Sequence, residues 1–282
     1  MDSTQESVKP GARAKPNPND SGAQRVPPVF DVDATPMRVD ELIEAMAGLI
    51  AAGTTATALG HNLHSITLLH SRPDVRSVYE DSSIVLLDGA PVAMLWGGLA
   101  HKRQLQALGE GPMAYRLGSM DWIPELGKVN GLERVAVVGA GRAANTKAVA
   151  RLRSIIPGAT VDGMPGEGWD STLEDAVVNW LTDFRPQLVL FGLGMPLQET
   201  VLHRRLAELP PALYCAVGGA IEQVAGIQKL APRWLGRLGG LEWAWRLVLH
   251  PGRVAYRVFV EPWKLAGLLI RRRFQPSKTK GK

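Results

Sequence analysis

The chain has 282 residues, is 45% hydrophobic and carries a formal net charge of +5, which suits one sizeable core or a domain with an appendage rather than two independent domains. No apolar run reaches the roughly 20 residues of a membrane-spanning helix, and the N-terminus lacks the hydrophobic core of a signal peptide. From these two features we expect a cytoplasmic protein. The lone Cys215 cannot form an internal disulfide and is expected to be a small buried hydrophobe.

Residues 1–36 are predicted to form a disordered leader. They contain six prolines among polar residues and too little apolar content to build a core. From Val39 onward, apolar residues recur at the spacing of an amphipathic helix, which Gly53 is expected to end. The folded core is therefore predicted over residues 37–230.

Six short β-rich runs alternate with helical patterns along this core. The runs are residues 55–59, 84–87, 134–138, 159–161, 187–191 and 213–217. Helical patterns such as 145–156 and 172–184 lie between them. This alternation predicts an α/β fold with a Rossmann-like parallel sheet flanked by helices.

Small or polar residues follow every predicted strand. Ligands of open parallel sheets bind outside the carboxyl ends of the strands. A glycine in that place is usually only a turn, but the six exits share one edge and together predict a binding cleft. The exits are His61 with Asn62, Asp88 with Gly89, Gly139 to Arg142, Asp162 with Gly163, Gly192 to Gln198, and Gly218 with Gly219.

The third exit has a nucleotide-binding pattern. Gly139, Gly141 and Ala144 have G-x-G-x-x-A spacing, and Asp162 follows about 20 residues later. Backbone N–H groups at a helix N-terminus hold diphosphates, and an acid at this distance binds a ribose. A dinucleotide, a nucleotide-sugar or a tight turn without a ligand would all fit this pattern. The nucleotide-binding candidates are Gly139, Gly141, Arg142, Asp162, Gly192, Gly194, Gly218 and Gly219.

Asp88 is the first candidate for a general base. It follows a wholly apolar strand and precedes Gly89, which would place its carboxylate at the rim of a pocket. Partial burial raises the pKa of a carboxylate and makes it a better base. The alternative is an N-cap for a helix beginning near Pro91.

Two other polar pairs are candidates for substrate binding. Gln198 and Glu199 follow Pro196, which suits the start of a helix, and their side chains are expected to face the cleft. Glu199 could equally be a first-turn acid that complements the helix dipole. Arg116 with Asp121 offers a phosphate contact or, by default, a surface salt bridge.

Residues 231–274 are predicted to form a helical appendage and residues 275–282 a basic disordered tail. After Glu261 there are seven Lys or Arg residues and no acid, interleaved with Trp263 and with leucines. This mixture favours an anionic membrane surface over nucleic acid as the partner. Arg246 and Arg253 would share a helix face suited to diphosphate. Snorkelling arginines on a packed helix are the alternative for them, and a solvated basic C-terminus is the alternative for the end of the chain.

Several motifs, in order, resemble those of the WecG/TagA/CpsF family of bacterial glycosyltransferases over about residues 40–263. They are DG-P-V (88–92), YRLGSMD (115–121), VVGAGRAAN (137–145), GLGMPLQE (192–199), VGGAIEQVAG (217–226) and GLEWAWR (240–246).

This resemblance implies inverting transfer of a sugar of the N-acetylmannosamine, uronic acid or glucose type. The donor would be a UDP-sugar and the acceptor a polyprenyl-diphosphate-linked sugar, without metal or cofactor. The protein would be peripheral on the inner face of the bacterial cell membrane, and its product would enter surface polysaccharide. The resemblance places the base on Asp88, polar site residues on Asn62, Arg116 and Gln198, and tail arginines on Arg246 and Arg253.

The chain departs from the family pattern at four positions. Gly60 stands where the family usually has Thr, Leu197 and Leu230 replace basic residues, and His250 replaces Glu. These differences leave the donor sugar open.

Two other functions stay open as well: an NAD-dependent oxidoreductase using the Gly139 loop and Asp162, and a non-catalytic membrane-associated sugar-binding subunit. The C-terminal sequence pattern would be the same whether the tail covers the pocket of its own chain or joins a neighbouring copy. A homo-oligomer is therefore also possible from the sequence.

Overall fold

A computed structural model describes residues 32–99 and 110–228, together with Trp263 and Gly267. Its centre is a six-stranded parallel sheet in the order β2-β1-β6-β5-β3-β4. The strands are β1 Ala56–His61, β2 Ile84–Leu87, β3 Arg134–Gly139, β4 Thr160–Met164, β5 Leu188–Gly192 and β6 Leu213–Ala216. All six predicted strands, and the α/β class, are confirmed.

Helices flank the sheet within the described ranges. They are α1 Val39–Ala52, α2 Leu63–Leu69, α3 Pro73–Glu80, α4 Ala90–Leu99, α5 Ser119–Trp122, α6 Arg142–Ile155, α7 Ser171–Phe184, α8 Leu197–Arg205 and α9 Ala220–Val224, with 3-10 turns at Pro112–Tyr115 and Ile123–Lys128. Gly53 ends α1 as predicted, in the left-handed conformation with φ of 61°.

Helices pack on both faces of the sheet, and successive strand residues point alternately to one face and the other. Val135 and Val137 of β3 join a core that includes residues of α1 and α6, whereas Ala136 and Val138 join a second core with residues of α3, α7 and α8. Each fully buried aliphatic side chain contributes about 2 kcal/mol. Cys215 of β6 is part of the first core, and burial raises the pKa of its thiol. It is the buried hydrophobe that the sequence predicts.

The folded core begins earlier than residue 37. Val32 is 2% exposed, and the N–H of Thr35 donates to the carbonyl of Val85 at 2.7 Å. Residues 32–36, assigned from the sequence to the leader, therefore lie against the edge strand β2. The Oγ1 of Thr35 also accepts from the N–H of Val85 at 3.2 Å, so a buried apolar side chain and two hydrogen bonds hold this short segment despite its polar neighbours.

The topology divides the carboxyl edge of the sheet into two halves. The last strand, β6, lies between β1 and β5, so the exits of β1 and β2 are on one side of it and those of β5, β3 and β4 on the other. Such points of changing strand order are where open α/β sheets bind ligands.

None of the helices in the described parts of the chain is long and apolar enough to cross a bilayer. Within the predicted appendage, the structure describes Trp263 and Gly267, which are helical, and the Trp263 side chain is 78% exposed. Arg246, Arg253, Leu230, His250 and the predicted basic tail lie outside the described residues.

Candidate functional site

Asp88 and Asn62 meet where β1 and β2 end. Asp88 is half-buried, and its N–H donates to the carbonyl of His61 at 3.0 Å. The Nδ2 of Asn62 donates to Oδ2 of Asp88 at 3.1 Å. Because Oδ1 of Asn62 caps α2 by accepting from the N–H groups of His64 and Ser65, the amide N–H₂ is the end that faces Asp88. The structure therefore brings together the predicted base and one predicted polar residue.

Two glycines flank the Asp88 carboxyl group. A Cβ added at Gly60 would lie 3.2 Å from Cβ of Asp88, and one at Gly118 would lie 3.2 Å from its Oδ1. Any side chain at either position would press on the carboxyl group. The departure from the family pattern at Gly60 therefore lies directly beside the predicted base.

An isolated parallel β-bridge pairs the backbone of Arg116 with Leu87, the last residue of β2. Leu117 donates its N–H to the carbonyl of Leu87 at 2.9 Å, which extends the sheet by one step. The Nη2 of Arg116 lies 3.7 Å from Oδ2 of Asp121, and this oxygen also accepts from the N–H of Gly118 at 2.8 Å. The salt bridge expected for this pair is present, at the same edge as Asp88.

Gln198 and Glu199 are buried below this edge rather than facing the cleft. Their exposed fractions are 1% and 0%. Oε1 of Gln198 accepts from the N–H of Gly218 at 3.0 Å, and its Nε2 donates to Oε1 of Glu199 at 2.8 Å. The start of α8 packs Gln198 against the β6 exit, and a contact of either side chain with substrate stays a prediction.

Burial raises the pKa of Glu199 from 4.5 to about 7, while the hydrogen bond from Gln198 opposes this shift. Among the residues that the structure describes, its buried Oε2 has no hydrogen-bond partner. Burial is also the main reason why the pKa of Tyr79 is raised, with further contributions from the charges of Glu199 and Asp88. One buried phenol is therefore within electrostatic reach of both carboxyl groups.

The raised pKa of Glu199 predicts a pH-dependent stability. The neutral acid is favoured in the folded state, so its contribution is fully present below pH 4.5 and is lost as the pH rises to about 7. Relative to Glu199→Gln, the free energy of unfolding of the wild type should fall by about 3 kcal/mol between pH 4.5 and pH 8. Urea unfolding of both proteins at these pH values measures this difference, and parallel pH dependences would contradict it.

Sequence reasoning missed two buried polar residues that hold the β1 exit. Tyr79 donates its hydroxyl to the carbonyl of Gly60 at 2.8 Å, and Ser65 Oγ lies 2.9 Å from Nδ1 of His61. The rings of His61 and Tyr79 are 5.5 Å apart. A tyrosine or serine within an amphipathic pattern carries no signal that separates this role from ordinary packing.

The predicted nucleotide loop opens α6 as expected. Gly139 ends β3 with φ of 105°, and Gly141 directly precedes Arg142, the first residue of α6. A Cβ at Gly139 would lie 2.7 Å from the carbonyl of Gly192, so close packing of two strand ends is sufficient to require this glycine. A Cβ at Gly141 would lie 2.7 Å from Oε1 of Glu167, which places an acid beside the loop.

Asp162 does not follow β4, as the sequence suggested. It lies within the strand, paired with Ala136 of β3, and its exposed side chain accepts from the N–H of Gly163 at 2.9 Å. The strand continues to Met164 because its last residues keep pairing with β3. Among the remaining nucleotide candidates, Gly192 is the last residue of β5, and Gly194, Gly218 and Gly219 follow the ends of β5 and β6.

Within the described ranges, no three His, Cys, Asp or Glu side chains come close enough together to hold a metal ion. The independence from metal and cofactor stays a prediction.

Comparisons with known proteins agree with the motifs. A family model described as the glycosyl transferase WecG/TagA/CpsF family matches residues 27–279. The N-acetylglucosaminyldiphosphoundecaprenol N-acetyl-beta-D-mannosaminyltransferase of Bacillus subtilis (strain 168) is 31% identical over 183 residues, covering 64% of this chain and 66% of the relative. Proteins of the same name from Bacillus spizizenii and Staphylococcus aureus (strain MRSA252) are 25% identical over 181 residues and 24% identical over 145 residues.

These matches cover 64% and 51% of this chain, respectively. The chain spans 66% of the length of the two Bacillus relatives and 56% of the Staphylococcus relative.

Proposed function

Because the chain belongs to the WecG/TagA/CpsF family of glycosyl transferases, we propose that it transfers a sugar from a UDP-sugar to a polyprenyl-diphosphate-linked sugar. The names of the relatives state transfer of N-acetyl-β-D-mannosamine to an acceptor carrying a diphosphoundecaprenol group. The observation that carries the proposal for this chain is the pairing of Asp88 with Asn62 at the carboxyl edge of the sheet.

In the proposed reaction, Asp88 accepts the proton of an acceptor hydroxyl. The hydroxyl oxygen forms a bond to the anomeric carbon of the donor while the bond from that carbon to the diphosphate of UDP breaks. Attack from the opposite face inverts the configuration, so an α-linked donor gives a β-linked product. The Asn62 amide donates to Oδ2 of Asp88 and so helps to fix the orientation of the carboxyl group.

The departing diphosphate needs positive partial charge, which we place at the carboxyl ends of β5, β3 and β4, on the other side of β6 from Asp88. The first N–H groups of a helix have no partner within the helix, and the 14 residues of α6 after Gly141 give it a helix dipole. Arg142 begins this helix, and Arg246 and Arg253 are proposed to add charge from the appendage. Such preorganised groups contribute several kcal/mol to transfer reactions of this kind.

We further propose that the protein acts on the inner face of the bacterial membrane, in surface-polysaccharide synthesis. The helical, exposed Trp263 supports this placement, since tryptophans favour the membrane interface. The basic residues that follow it would add attraction to anionic lipids.

Two alternatives differ in their support. The oxidoreductase needs an acid at the β4 exit, and Asp162 lies inside the strand instead. The sugar-binding subunit is favoured by one observation: Gly60 adds no hydroxyl beside Asp88, where the family usually has Thr.

Incubation of the full chain with UDP-sugars and a short-chain, lipid-diphosphate-linked N-acetylglucosamine tests the proposal. We expect UDP release and a product one sugar heavier by mass spectrometry with at least one donor. Binding without UDP release for every donor would favour the sugar-binding subunit. Energy transfer from tryptophan to NADH without any lipid requirement would favour the oxidoreductase.

A further inference from the structure

The side chain of Asn145 ties the loop at residues 139–141 to the ends of two strands. Asn145 lies near the start of α6 and is 2% exposed. Its Nδ2 donates to the carbonyls of Val137 at 3.1 Å, Gly139 at 3.0 Å and Met164 at 3.2 Å. Because the amide has only two hydrogens for these three acceptors, two of the acceptors share one hydrogen. One buried side chain therefore joins the start of α6 to the ends of β3 and β4.

The loop that Asn145 holds has an unfavourable backbone conformation. Gly139 has φ of 105° and Ala140 has φ of 55°, a left-handed value that alanine rarely adopts. The N–H of Ala140 donates to the carbonyl of Gly192 at 3.1 Å, and its carbonyl accepts from the N–H of Gly166 at 2.9 Å. Such a conformation persists only where the surrounding structure holds it, so the shape of the loop depends on its hydrogen-bonded neighbours.

The three carbonyl groups of the loop all accept hydrogen bonds from the protein. The carbonyl of Gly139 accepts from the Asn145 side chain, that of Ala140 from Gly166, and that of Gly141 from the backbone N–H of Asn145 at 2.9 Å. A carbonyl oxygen turned toward a diphosphate would repel it, whereas N–H groups at the start of a helix attract it. These bonds therefore keep the negative ends of the loop away from the place where we propose that the diphosphate binds.

We infer that Asn145 is a positioning residue for the donor's diphosphate, which fixes the loop at residues 139–141 in the form that presents the first N–H groups of α6. Its amide nitrogen donates to backbone carbonyls, so it acts through the loop and not on the substrate. The effect on nucleotide binding rests on the proposed function, but the fixing of the loop does not. A residue that only stabilises the strand ends would leave the affinity for UDP unchanged.

Calorimetric titration of the full chain with UDP tests this inference. Asn145→Ala removes the three side-chain hydrogen bonds, so the loop should hold its binding form for only a fraction of the time, and the apparent Kd rises as that fraction falls. We expect the Kd for UDP and the KM for the donor to rise by about tenfold or more. The KM for the acceptor should change much less, because the acceptor is proposed to bind beside Asp88.

Two further variants separate this effect from a loss of stability. Val177→Ala opens a cavity in the second core, so it destabilises the fold but should leave the Kd for UDP nearly unchanged. Gly163→Ala keeps Asn145 but places a methyl group against its Oδ1, and the displaced amide should raise the Kd for UDP by about threefold or more. Wild-type affinity in Asn145→Ala, or an equal loss in Val177→Ala, would overturn the inference. If Asn145→Ala does not fold, Gly163→Ala decides by the same criterion.

Hydrogen exchange at the amides of Ala140 and Gly166 gives a readout that needs neither nucleotide nor turnover. Both amides donate hydrogen bonds that hold the loop, and their protection should fall by about tenfold or more in Asn145→Ala, while amides of β1 and β6 stay protected. Unchanged protection of both amides would refute the inference. A wild type that binds UDP without transferring a sugar, and that loses this affinity in Asn145→Ala, would refute the proposed function alone.

Discussion

Asp88→Asn is expected to lower kcat by about two to four orders of magnitude while the affinity for UDP stays nearly unchanged. The amide has almost the shape of the carboxyl group, but it cannot accept the acceptor's proton. It also places a donor or a neutral oxygen where Asn62 now donates to Oδ2. UDP is expected to bind across the edge near Gly141, so its contacts should survive. Steady-state kinetics and calorimetric titration with UDP measure the two quantities separately.

Asp183→Asn is the matched control for this experiment. Asp183 is an exposed residue near the end of α7, before β5 begins, so it lies at the opposite edge of the sheet. The same chemical change there should leave kcat within about twofold. Near-normal turnover of Asp88→Asn would remove Asp88 from the reaction, and an equal loss in both variants would point to a general effect on folding.

Gly139→Ala is expected to destabilise the fold by about 3 kcal/mol or more. The φ of 105° at this position is unfavourable for any residue with a Cβ. The added methyl group would also lie 2.7 Å from the carbonyl carbon and oxygen of Gly192. Both contacts are with backbone, which cannot rotate away, so the ends of β3 and β5 would have to separate. Urea unfolding monitored by circular dichroism measures the loss.

Gly131→Ala separates the conformational cost from the clash. Gly131 also has a positive φ, 75°, but a Cβ there meets nothing within 4 Å. We expect a loss of about 1 kcal/mol for this variant. Equal losses for the two variants would show that β3 and β5 do not approach each other as closely as the structure has them.

The strands were the most predictable part of this protein. Apart from their first residues, Arg134 and Gln187, runs such as 134–138 and 187–191 are apolar, because both faces of a parallel sheet are buried. The position of Asp88 directly after such a run also follows from the sequence alone, and the structure places it at the carboxyl edge beside Asn62. By contrast, the sequence analysis placed the end of β4 too early, since nothing in the sequence around Asp162 shows that pairing with β3 continues to Met164.

Local patterns were sufficient wherever the relevant force acts between near neighbours. Alternation of strand and helix, the end of α1 at Gly53 and the glycine-rich start of α6 are set by backbone sterics and by apolar periodicity within a few residues. The direction of the Gln198 side chain was not, because its oxygen accepts from the N–H of Gly218, which is distant along the chain and comes close through the pairing of β5 with β6. Burial and electrostatic fields arise from all neighbours in space, and so the raised pKa of Glu199 emerges only when the sheet is assembled.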